Sequence, residues 1–125
     1  MVSLLVVDDE ADICDFVKGF FGERDFEVLV AYNGREALRA VKEKDPDIVL
    51  LDVKMPVMGG METLKEMQKL KGIHSKVIMV TAVEDIKKAE EAKRHGALAY
   101  INKPLLLEQL ERTVLTVAEQ IRAGM

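Results

Sequence analysis

Apolar residues along this chain follow two alternating rhythms. Leu4-Leu5-Val6-Val7, Ile48-Val49-Leu50-Leu51 and Val77-Ile78-Met79-Val80 are short unbroken runs, the pattern of strands buried on both faces of a parallel sheet. Glu27 to Ala31 and Leu98 to Asn102 are more mixed and read as strands at its edges. Between these segments the apolar residues recur at helical spacing. Ile13, Phe16, Val17, Phe20 and Phe21 form a stripe that Gly22 stops. Asn33-Gly34-Arg35-Glu36 offers an N-cap residue with Glu three positions on, opening a helix with Ala37, Leu38 and Val41 that Asp45-Pro46 ends. Met61, Leu64 and Met67 mark a third helix closed by Gly72, and Glu84 to His95 a fourth with Ile86, Ala89 and Ala92 inward. Leu107, Leu110, Val114, Val117 and Ile121 share one face of a terminal helix, with Pro104 at its start, where a missing N–H costs nothing.

Five repeats of strand then helix predict an α/β fold, a doubly wound five-stranded parallel sheet covered on both faces by right-handed crossovers. The 125 residues suit one domain, expected over 1–125, and leave no room for a second. With a formal net charge of -4, direct nucleic-acid binding is not expected. The single cysteine, Cys14, excludes an internal disulfide and a cysteine zinc site and fits a reducing compartment. No apolar run approaches the ~20 residues of a membrane span, and no export signal opens the chain. A cytoplasmic protein without membrane contact is expected.

What ends the strands points to chemistry. Asp8 and Asp9 follow the first run, Asp52 the third, Thr81 the fourth and Lys103 the fifth. In an open α/β sheet the carboxyl ends of the strands are where ligands bind, so one rim gathers three acids, a hydroxyl and an ammonium. Each residue alone has a plain structural role. Asp8-Asp9 can cap a helix with Glu10 complementing its dipole, and Thr81 with Glu84 three positions on is a capping box. Lys103 beside acids can be an ordinary ion pair, and Tyr100 can be packing with a wet hydroxyl. Their convergence favours a site: Asp52 as nucleophile, Asp8 and Asp9 as oxygen ligands suited to Mg²⁺, and Lys103 and Thr81 as donors to phosphoryl oxygens.

Five segments carry a family likeness over the whole chain: Val-Val-Asp-Asp-Glu at 6 to 10, Asp-Val-Lys-Met-Pro-Val-Met-Gly-Gly at 52 to 60, Val-Thr-Ala at 80 to 82, Gly-Ala-Leu-Ala-Tyr at 96 to 100, and Lys103-Pro104. In these the chain resembles the receiver domain of two-component response regulators. The resemblance implies a flavodoxin-like fold with strand order 2-1-3-4-5, and transfer of a phosphoryl group from a histidine kinase or a histidine phosphotransfer protein onto Asp52. It implies Mg²⁺ held by Asp9 and Asp52 directly, by Asp8 through water and by the backbone carbonyl of Lys54. It places Met55, Pro56, Gly60, Ala82 and Pro104 in the loops around the site and makes Thr81 and Tyr100 a switch pair. Phosphorylation is then expected to remodel the surface formed by the fourth helix, fifth strand and terminal helix, which would meet a downstream effector or a second copy. Leu115, off the apolar stripe beside Glu108 and Glu111, is a candidate contact there.

A flavodoxin-type cofactor binder would share the fold, but Asp8-Asp9-Glu10 would repel phosphate where that class needs a hydroxyl- and glycine-rich loop. An aspartate-nucleophile phosphatase of the haloacid dehalogenase kind carries Asp-x-Asp at the nucleophile, and position 54 is Lys. A receiver that never becomes phosphorylated would lack a member of the five-residue set, and none is missing. The expectation is therefore a phosphoacceptor signalling domain with self-catalysed, Mg²⁺-dependent phosphorylation and dephosphorylation, and no enzyme acting on other substrates.

Overall fold

The computed structural model describes residues 1–82 and 85–124. Strands and helices alternate: β1 (Val2–Val7), α1 (Ala11–Gly22), β2 (Phe26–Ala31), α2 (Gly34–Lys44), β3 (Ile48–Asp52), α3 (Gly60–Gln68), β4 (Lys76–Ala82), α4 (Ile86–Arg94), β5 (Ala99–Lys103) and α5 (Leu107–Arg122). All strand pairs are parallel, in the order β2-β1-β3-β4-β5. The continuously apolar runs form the three central strands, and the two mixed segments are the edges, as their compositions require.

Because side chains alternate along a strand, the sheet has two cores. Leu4, Val6, Ile48, Leu50, Ile78, Val80 and Ile101 face α1 and α5, joined by Phe21 and Phe26, whose rings meet edge-on at 5.2 Å. Leu5, Val7, Val49, Leu51 and Met79 face α2, α3 and α4, where Met67, Ala37 and Ala92 complete the packing. Both faces are mainly aliphatic, with buried phenylalanine rings only on the first and buried methionines only on the second.

Several helices sit rotated or shortened relative to the sequence reading. In α1 the buried arc is Cys14, Val17 and Phe21. At about 100° per residue Phe16 lies well round from it, and it is 48% exposed. In α4 only Ala89 and Ala92 are buried, and Ile86, expected inward, is 60% exposed in the first turn. Glu84, the expected start of that helix and the partner in the Thr81 capping box, lies outside the described residues. Pro104 follows a cis peptide bond and does not open a helix; α5 starts at Leu107, itself 44% exposed at the rim of the sheet. Leu115 is not a free surface residue: it is partly buried against the core that holds Phe21 and Phe26, and Glu111, one turn earlier in α5, pairs with Arg24, just past the end of α1, at 3.2 Å. Helix α3 ends at Gln68, before Gly72. The α2 cap is as read, with the Glu36 N–H donating to Asn33 Oδ1 at 2.9 Å; Glu36 Oε1 accepts from the Tyr32 N–H.

Candidate functional site at the carboxyl rim of the sheet

Asp8 leaves β1 with its N–H still donating to the Ala31 carbonyl (3.2 Å), and Asp52 is the last residue of β3. The sheet order puts β1 and β3 side by side, at the point where the connections turn from one side of the sheet to the other. Two carboxylates that sequence separates by two helices and the strand between them thus become neighbours. Asp8, Asp9 and Asp52 each offer a carboxylate oxygen within 4.8 Å of the others, Asp8 and Asp52 buried and Asp9 exposed.

Lys103 ends β5 and reaches the same place across β4. Its Nζ lies 3.2 Å from Asp52 Oδ2 and 3.9 Å from Asp8 Oδ2. The Glu10 N–H donates to Asp8 Oδ1 at 2.9 Å, and the Lys54 N–H approaches Asp52 Oδ1 at 3.4 Å. One cation is thus shared between two buried acids. Burial pushes the Asp8 carboxyl up to about 6, a rise that the Glu10 N–H opposes and the Asp52 charge reinforces. Burial also raises Asp52, although Lys103 pulls the other way. For Lys103 burial works against the charge, but Asp52 and then Asp8 outweigh it and the ammonium is held above its usual range.

Thr81 is in β4, one residue past Val80, the register partner of Asp52. It is buried, and its hydroxyl donates only a long 3.4 Å bond to the Ala82 carbonyl. Tyr100 is opposite Met79 in the β4–β5 register, so its side chain shares a sheet face with Thr81, the face that α4 covers. Lys93 Nζ of α4 stands 5.0 Å from the Tyr100 ring centroid, a cation over an aromatic face. The Lys54 side chain is exposed.

The segment after Asp52 is held by close backbone approach. The Gly60 N–H donates to the Val53 carbonyl at 2.9 Å, and a Cβ at Gly60 would collide with the Asp52 carbonyl, so only glycine fits where α3 begins. Between them Val57 adopts φ 68 and is 88% exposed, a left-handed conformation that β-branched residues avoid. Met55 and Pro56 lie in the loop between β3 and α3, Ala82 is the last residue of β4, and Pro104 follows the end of β5. Beside the site, Glu10, Ile13, Phe16, Pro104 and Leu105 line a groove of about 400 Å³ between α1 and the segment leading to α5.

Sequence reasoning missed three features. Cys14 donates its thiol to the Asp8 carbonyl at 3.4 Å, a contact that no motif encodes. Phe16 belongs to the groove and not to the core, which only the rotation of α1 reveals. The carboxylate of Asp85 at the start of α4 had no pattern to mark it.

The model of the response regulator receiver domain family matches residues 4–115. The transcriptional regulatory protein ZraR of Salmonella typhimurium is 37% identical over 113 residues, 90% of this chain and 25% of its own length. This chain thus spans about a quarter of that regulator. Sporulation initiation phosphotransferase F of Bacillus subtilis is 35% identical over 112 residues, 90% of each chain. A solved response regulator receiver domain protein from Clostridium thermocellum superposes over 100% of both chains with a TM-score of 0.89 and 31% identity.

Proposed function

The chain belongs to the response regulator receiver domains, of which phosphoryl acceptance is typical, and from that premise we propose that it accepts a phosphoryl group on Asp52 in a Mg²⁺-dependent reaction. The observation that carries this reading is the sharing of Lys103 between Asp52 and Asp8 at a rim where three carboxylates crowd within 4.8 Å. An all-oxygen, anionic set of this kind fits a hard divalent cation, and Asp8, raised chiefly by burial and further by the Asp52 and Asp9 charges, is a carboxyl whose ionised form such an ion would favour. Asp9 and Asp52 would bind the ion directly, Asp8 through water, and the Lys54 carbonyl would complete the protein ligands. When bound, Mg²⁺ supplies the positive charge that lets an anionic carboxylate approach an anionic phosphoryl group.

The chain's own residues do the rest. Asp52, the only one of the three acids paired with Lys103 at 3.2 Å, presents an oxygen at the end of a rigid central strand and bonds to phosphorus as the donor's P–N bond breaks. The Lys103 ammonium neutralises one phosphoryl oxygen, and the Thr81 hydroxyl, weakly engaged at 3.4 Å, can leave the Ala82 carbonyl for another. This is positioning and charge stabilisation, the terms that dominate phosphoryl transfer.

The donor is a sensor histidine kinase or a histidine phosphotransfer protein, whose helix would lie in the groove beside Phe16. The phosphorylated domain passes the signal through α4, β5 and α5 to an effector protein or a second copy, with no direct contact to nucleic acid or membrane. No described helix is long and apolar enough to cross a membrane, and a cytoplasmic setting fits the single buried thiol of Cys14. The phosphoryl transfer and its hydrolysis are self-catalysed, so the domain acts as a signalling element and not as an enzyme on other substrates.

The test is phosphorylation by a small phosphodonor with Mg²⁺. Intact mass should rise by one phosphoryl group in the natural protein and not in Asp52→Asn. Undiminished labelling of that variant would refute the assignment.

A further inference from the structure

Asp85 immediately precedes α4. Its backbone carbonyl accepts from the N–H groups of Lys88 (3.0 Å) and Ala89 (3.1 Å), which makes it the residue whose side-chain oxygen ordinarily accepts from the second or third helical N–H. It does not: the side chain makes no capping bond, and its Oδ2 is buried without a hydrogen-bond partner. No other described residue has a buried side-chain oxygen or nitrogen in that condition. An unmade hydrogen bond at a buried carboxylate oxygen costs more than an average one contributes, so the present conformation carries a penalty that another could remove.

Two further contacts tie this carboxylate to the site. The Ala82 carbonyl accepts both the Thr81 hydroxyl (3.4 Å) and the Asp85 N–H (3.0 Å). Moving the Thr81 hydroxyl toward a phosphoryl oxygen changes the very carbonyl to which Asp85 is attached. Helix α4 itself is secured at its far end, where Lys65 pairs with Glu91 at 3.0 Å and His95 Nδ1 meets Gln68 Oε1 at 3.3 Å, both partners on α3. Its apolar hold is two alanines, Ala89 and Ala92. The end next to Thr81 is therefore the end free to turn.

We propose that Asp85 is a positioning residue of the switch: its carboxylate, idle in this conformation, caps the first turn of α4 once Thr81 has turned to the phosphoryl group. The proposal rests on reading Asp52 as phosphoacceptor and Thr81 as its hydroxyl donor. The cap then favours the phosphorylated arrangement twice, by ending the penalty of the buried oxygen and by accepting from the Lys87 N–H at the positive end of the helix. Whatever favours that arrangement must, by linkage, tighten binding of a phosphoryl mimic.

The experiment measures beryllofluoride affinity in the presence of Mg²⁺, for the natural protein, Asp85→Ala and Asp85→Asn. Alanine should weaken binding about fivefold, the factor an average N-cap is worth, and asparagine, an equally good cap, should restore it. Amide exchange at Lys87 should slow on adding the mimic in the natural protein and Asp85→Asn, but not in Asp85→Ala. Without the mimic, Asp85→Ala should be at least as stable as the natural protein. A destabilised unliganded Asp85→Ala would mean the carboxylate already serves the resting state, and unchanged mimic affinity would mean it serves neither; each overturns the proposal. A natural protein that does not take up beryllofluoride overturns the phosphoacceptor reading itself, and this inference with it.

Discussion

Asp8 and Asp52 are each only 3% exposed, and a carboxylate so placed is tolerated because Lys103 and two backbone N–H groups face it. Their identity was legible in the sequence because acids at the ends of apolar strands have no packing use. Their mutual distance was not, since it depends on β1 and β3 being neighbours. Val57 was legible only as a loop residue. With φ 68 and its side chain in solvent, it bears a left-handed backbone penalty of about 1 kcal/mol without burying anything in return. Val57→Asn should stabilise the protein by about that amount in urea unfolding, because asparagine tolerates the conformation. No gain would show that the loop relaxes around valine at no cost.

At the level of elements, α1 and α4 depart most from their hydrophobic patterns, and in opposite ways. Phenylalanines in α1 exceed what one buried face can hold, so the helix settles on Cys14, Val17 and Phe21 and turns Phe16 outward into the groove beside the site. Phe16→Ala should therefore slow phosphorylation by a histidine donor protein by roughly tenfold, the scale of losing an aromatic anchor, while leaving the rate with a small phosphodonor unchanged. Equal loss with both donors would place Phe16 in the chemistry or the fold instead. In α4 the pattern had too few large residues to fix a rotation, and Ile86 was assigned inward by spacing alone. Held by two alanines and polar ties to α3, α4 should exchange its amides faster than α1, which buries Phe21. The reverse ranking would show that the α3 ties outweigh apolar burial.

Across the whole molecule, the crowded acids make folding and metal binding respond to pH together. The Asp8 carboxyl rises from 3.8 to about 6 on folding, so the folded state binds the extra proton between those values. Stability of the metal-free protein should be greatest at the acid end of that window and fall as pH climbs through about 6, by on the order of 2 kcal/mol. Mg²⁺ should raise the melting temperature at about pH 7 and much less at about pH 5, where protons already occupy Asp8. A Mg²⁺ effect independent of pH would separate the ion from this cluster. The sheet order was expected from family likeness, whereas the division into one core with buried phenylalanine rings and another with buried methionines became visible only once register assigned each strand residue to a face. That division has a practical side. The chain has no tryptophan and only two tyrosines, Tyr32 partly in solvent and Tyr100 beneath the Lys93 ammonium on the methionine-bearing face. Tyrosine emission from the unlabelled protein therefore comes from two rings, one of them next to α4. Turning Tyr100 away from that charge would change its brightness and its access to a quencher, so the molecule carries a built-in optical reporter with no dye attached.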